Sequence, residues 1–230
     1  MPLERLLLFS VLLTGCTKTA VQESPLKWPT RIIDAHVHFD DDDGASILTG
    51  RSDLLQELVK NGVTGAVVHA NMTGPKPKKL PDDLVRFSVC AAIVPNHRTP
   101  AQVEEGIKDG TYHCMKIYLG YVPLWPSAKF YQPFYKLAER TGVPVVFHTG
   151  DTVNRAAKVK FADPLRVDEV AVKYPKVTFV LAHMGNPWIA SAAEVVYKNE
   201  NVYADTSALV IEEQLASSPE VLEELVTKPI

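Results

Sequence analysis

Apolar positions along this chain gather into short, nearly continuous runs, and the stretches between them carry a helical stripe. The runs at 31–39, 63–70, 85–95, 113–119, 143–148, 177–183 and 202–205 are rich in β-branched residues and predict seven strands. Between and after them, 52–61, 101–108, 129–141, 164–174, 189–198 and 212–226 predict helices, the first opening on Ser52 with Gly62 just beyond its end. Strands that are apolar on both faces and alternate with helices imply a parallel sheet covered on both sides.

Polar residues break this pattern at particular places. His36, His38, Lys116, His148, His183 and Asp205 all fall at or near the C-terminal ends of predicted strands. In a (β/α)8 barrel those ends converge on one mouth, whereas an open sheet would spread them along an edge. No glycine-rich phosphate loop follows any strand, so a dinucleotide-binding fold has no support. The expected fold is therefore a TIM-type (β/α)8 barrel over 30–230. Seven strands are counted, so the barrel is expected to lack its eighth.

Composition adds little to this picture until the N-terminus is reached. With 46% hydrophobic residues, 22% charged and a net charge of -3, the chain can bury a core and offers no basic surface for nucleic acid. Residues 6–13 form an apolar run broken only by Ser10, too short to span a bilayer but of signal-peptide length. It leads into Leu13-Thr14-Gly15-Cys16, which resembles the lipobox of bacterial lipoproteins. The expectation is a signal peptide over 1–16, a tether over 17–29 and a lipid anchor at Cys16 on the bacterial cell envelope. Cys90 and Cys114 sit inside apolar runs without metal-ligand spacing and are expected to be buried free thiols.

The strongest chemical signal is Asp34-Ala35-His36-Val37-His38. Side chains at i and i+2 of a strand share a face, so two imidazoles point together into the mouth, a pairing suited to zinc or a similar ion. His148, in VVFHTGD, ends another apolar strand and supplies a third ligand. His183, in LAHMGNP, is placed to serve as a fourth ligand or as a general acid/base. Lys116 suits contact with an anionic substrate group. Asp205 is expected to bond its own turn at least as much as to act chemically. The acidic run at 40–43, the cations Arg155, Lys158 and Lys160, and the histidines His69, His97 and His113 read as structural or solvated.

Taken together, DAHVHF, VFHTGD, LAHMGNPW and VYADTSA resemble the amidohydrolase superfamily over residues 30–210. Their wording is most similar to the amidohydrolase-related branch that includes aminocarboxymuconate-semialdehyde decarboxylase. The resemblance implies a TIM barrel with a single Zn²⁺ or Mn²⁺ held by His36, His38 and His148, and His183 handling protons on the water that the metal activates. It implies hydrolysis at a carbonyl-type carbon of a small molecule or, alternatively, non-oxidative decarboxylation. The family completes its site with an aspartate on the eighth strand, which is not found here. A lipid-tethered, catalytically inactive barrel is the rival reading.

Overall fold

The computed structural model describes residues 32–38, 52–72, 85–152 and 154–208, without the side chains of 52–54 and 57. The expected leader and tether, the acidic run at 40–43 and the helix at 212–226 lie outside the described residues. Seven strands are present among them: β1 (Ile32–His38), β2 (Val63–His69), β3 (Arg86–Ile93), β4 (Cys114–Ile117), β5 (Val145–His148), β6 (Phe179–Ala182) and β7 (Val202–Ala204). All neighbouring pairs are parallel and the strand order is the sequence order. The helices α1 (Ser52–Lys60), α2 (Pro100–Lys108), α3 (Gln132–Thr141), α4 (Leu165–Lys173) and α5 (Ile189–Lys198) fill most of the connections.

The sheet curls as a barrel does. In a flat sheet, six steps of about 4.8 Å would hold β1 and β7 about 29 Å apart. Instead, His36 of β1 and Asp205, just past β7, approach to 2.9 Å. This is the fold of a TIM barrel, with seven strands and no eighth among the described residues. No helix among these residues is long and apolar enough to cross a membrane.

Local chemistry accounts for the helix ends. Thr99 caps α2 in a reciprocal pair with Gln102, and Pro100 opens the helix where no backbone donor is needed. α3 starts at Gln132 rather than 129 because Pro133 seats its fixed φ in the first turn, and it stops at Gly142, whose φ of 75° suits glycine.

The two faces of the sheet differ. On the outer face Ile93, Met115, Ile117, Phe147, Phe179 and Leu181 pack against Phe134, Tyr135 and Leu137 of α3 and against Val167 and Val170 of α4. On the inner face Cys90, Cys114, Val146 and Ala182 form a smaller floor. Here one expectation fails: Cys90 and Cys114 are a disulfide, not free thiols. The β3–β4 register sets them directly opposite one another, with Cα atoms 4.2 Å apart.

Candidate metal centre

His36 and His38 project from the inner face of β1, as their i, i+2 spacing requires, and their Nε2 atoms are 3.1 Å apart. Two nitrogens sharing a tetrahedral zinc stand about 3.3 Å apart at ordinary Zn–N lengths. The pair therefore has the separation of co-ligands. His183 comes to meet them from the turn after β6, its ring centroid 4.7 Å from that of His36. His148, at the end of β5, adjoins His183 at 4.9 Å. Among the described residues, His36, His183 and Asp205 form a group whose ligand atoms all lie within 4.8 Å of one another. The four histidines picked from the sequence thus share one mouth. The tightest knot, however, contains His183 and Asp205 rather than His148.

In His36, His183 and His148 the outer nitrogen faces oxygen. His36 Nδ1 donates to Asp205 Oδ2 at 2.9 Å. His183 Nδ1 donates to the Ser207 carbonyl at 3.0 Å, with the Ser207 Oγ at 2.9 Å. His148 Nε2 donates to the Asp151 carbonyl at 2.8 Å. Every one of these hydrogen bonds assigns the proton to the outer nitrogen and leaves a lone pair on the inner one. Burial holds the His148 pKa down at about 3, helped by the charge of Lys116. Burial likewise holds His183 at about 4, with His36 and Lys116 adding to the effect. Both are neutral imidazoles near neutral pH, the form that binds metal.

Asp205 is buried, and burial alone would raise its pKa. Donors from His36, the His183 backbone and Ser207 outweigh that and hold the carboxyl far below its usual range. It bonds its own turn, as expected, and also reaches across to β1. His183 has a φ of 62°, an unusual conformation for a residue with a side chain, and its backbone N–H donates to Asp205 Oδ1 at 3.0 Å.

Two residues behave differently from expectation. His69, expected to be structural or surface, is not at the surface: it is 1% exposed and its ring lies 4.0 Å from that of His36. Neither of its ring nitrogens has a hydrogen-bond partner, and burial holds it neutral. The signal that singled out His148, a histidine closing an apolar strand, was present at His69 too. Lys116 is completely buried with no hydrogen bond to Nζ, its nearest aromatic face being Tyr118 at 5.8 Å. Burial brings its pKa down to about 7, a change that Asp205 partly opposes. It does not line the cavity and so is not placed to meet a substrate anion there. Arg155, Lys158, Lys160 and His113 are exposed, in line with a solvated role, and His97 is half-buried.

A cavity of about 390 Å³ opens above the histidines, with His38, His148 and His183 in its base and Met72, Tyr118 and Tyr121 among its walls. Asp151 and Asn186 close one side, joined by a hydrogen bond of 3.1 Å from Asn186 Nδ2 to Asp151 Oδ2.

Solved structures with this fold include a putative amidohydrolase from Staphylococcus aureus, 15% identical with a TM-score of 0.57, over 85% of this chain and 84% of that one. A probable 2-pyrone-4,6-dicarboxylic acid hydrolase from Acinetobacter baumannii matches with 14% identity and a TM-score of 0.57, over 85% and 79% of the two chains. A 5-carboxyvanillate decarboxylase from Novosphingobium aromaticivorans, complexed with manganese and 4-hydroxy-3-methoxy-5-nitrobenzoic acid, matches with 12% identity and a TM-score of 0.52, over 82% of each chain. No curated protein matches the chain significantly. The sequence profile of the amidohydrolase family matches residues 33–227, spanning the barrel and every histidine of the mouth, and the chain belongs to that family.

Proposed function

We propose that this protein is a metal-dependent hydrolase that directs water at a carbonyl-type carbon of a small molecule. One observation carries the reading: the outer nitrogens of His36, His148 and His183 are each committed to an oxygen acceptor, which leaves the other nitrogen of each ring with a lone pair to offer a metal, and His148 and His183 line one cavity with His38. His36, His38 and His148 would hold a divalent ion, and neutral imidazoles suit zinc, with manganese the alternative. Such an ion supplies Lewis-acid polarisation of a carbonyl and acidification of water. His183 Nε2 faces the same space, accepts the proton released as water attacks and returns it to the leaving group. Tyr118, Tyr121 and Met72 exclude bulk water and pack against the apolar part of a substrate.

Decarboxylation is the second reading. The aromatic walls of the cavity favour it, because they suit a planar aromatic acid of the kind bound to the decarboxylase of similar fold. At the N-terminus, the Leu13–Cys16 lipobox supports a further proposal, attachment to the bacterial envelope by lipid on Cys16.

Metal analysis of the purified protein and of a His36→Ala/His38→Ala variant tests the central claim. About one ion per chain is expected in the first and none in the second; equal contents would sink the reading. Assaying the loaded protein against lactones, amides and aromatic acids, with carbon dioxide release followed in parallel, separates hydrolysis from decarboxylation.

A further inference from the structure

Asp205 makes more contacts than a turn requires. Its Oδ1 accepts from the backbone N–H groups of His183 and Ser207, at 3.0 and 3.1 Å, and from the Ser207 hydroxyl. Its Oδ2 accepts from His36 Nδ1 at 2.9 Å, across a sequence separation of 169 residues. With four donors already in place, the carboxylate is better used as a partner of ligands than as a ligand itself. The bond to His36 also joins the first and last strands of the sheet, which share no backbone pairing among the described residues.

We infer that Asp205 is the positioning residue of the centre: its carboxylate holds the proton of His36 on Nδ1 and thereby presents the Nε2 lone pair to the metal. A carboxylate can only accept, so it selects the tautomer with Nδ1–H. The same group fixes the turn of His183 through the backbone N–H and, through Ser207, the ring. The Ser207 hydroxyl gives its proton to Asp205 and takes the Nδ1–H of His183 on its own oxygen. One carboxylate therefore sets the facing nitrogens of two histidines that approach from opposite ends of the sheet. The inference rests on the reading of His36 as a ligand, but the tautomer it predicts belongs to the metal-free protein as well.

The test is Asp205→Asn in the full chain. An amide can turn its NH₂ toward His36 Nδ1, which favours the Nε2–H tautomer and blocks the metal-facing lone pair. Zinc affinity, measured by competition with a chromophoric chelator, is expected to fall about 10- to 100-fold, the range seen when outer partners of metal-bound histidines are removed. In parallel, ¹⁵N–¹H correlation spectra of the metal-free wild type are expected to show His36 protonated at Nδ1, moving to Nε2 in the variant. An Asn variant that folds and binds zinc within about twofold of wild type would overturn the inference, as would an Nε2–H tautomer in the wild type. Should the variant not fold, the wild-type tautomer alone decides. If the wild type binds no zinc through His36 and His38, the metal reading fails, and the tautomer spectra still judge the role of Asp205 separately.

Discussion

Phe147 and His148 are adjacent on β5 and face opposite sides of the sheet, and their surroundings have little in common. Phe147 is fully buried between Tyr135 and Phe179, with ring centroids 6.2 and 5.6 Å away, in an apolar layer closed by the helices. His148 faces Tyr121 and His183 at 4.8 and 4.9 Å, in an interior that also holds the unbonded Lys116 and His69. The outer layer is almost wholly apolar, though the buried Tyr131 hydroxyl there has no hydrogen bond among the described residues, whereas the inner face keeps the ionisable side chains of Lys116 and His69 dehydrated and without hydrogen bonds. Such groups cost stability and are retained where they serve chemistry. The barrel therefore places its cohesion outside the strands and its reactivity inside them, one residue apart.

The contrast is testable at both ends, the largest effect first. Phe147→Ala is expected to lower the unfolding free energy by about 3–5 kcal/mol in urea denaturation, without changing the metal bound per folded molecule. A mild loss of stability there would break the distinction between the faces. Lys116→Met is expected to act in the other direction, stabilising the metal-free protein by roughly 1–4 kcal/mol at pH 7, because it replaces a buried charge that lacks a partner. The wild type carries the same signature in its pH dependence. The ammonium has a pKa of about 7 when folded against its ordinary 10.5. Between those values the unfolded chain binds the extra proton, so stability climbs as pH rises from 7 toward 10. In Lys116→Met that climb should vanish.

At lower pH the histidines take over. His148 has a pKa of about 3 when folded against its ordinary 6.5, so the unfolded state gains protons first as pH falls. Its contribution is complete above pH 6.5 and is lost below it, at up to about 1.4 kcal/mol per pH unit. His148→Gln should flatten this slope in metal-free thermal melts. Thr99→Ala gives the smallest effect, about 1 kcal/mol from the lost cap of α2, and should leave metal content alone. A change in metal binding there would show that the outer layer is not independent of the mouth.

Much of this architecture is written in local patterns. The seven strands follow from apolar runs with β-branched residues, and their alternation with helices implies the parallel sheet. The i, i+2 spacing of His36 and His38 places both on one face without reference to any other residue. His148 and His183 are recognisable because each closes an apolar run, where a polar side chain must either face a site or remain unsatisfied. His69 carries that signal equally, but no second motif residue stands beside it in the sequence.

Other features depend on distances that no local pattern encodes. Cys90 and Cys114 are separated by 24 residues and become a pair because the β3–β4 register sets them opposite each other. Lys116 lies near a strand end as expected, yet the packing around it leaves it fully buried and outside the lining of the cavity. The partnership of Asp205 with His36 exists because the sheet curls until its first and last strands meet. Sequence by itself determined which side chains point inward, since that is a matter of period along a strand. Tertiary structure decided which nitrogens face the centre and what holds them there, because hydrogen bonds between distant strands depend on curvature and register, which arise only when the whole sheet assembles.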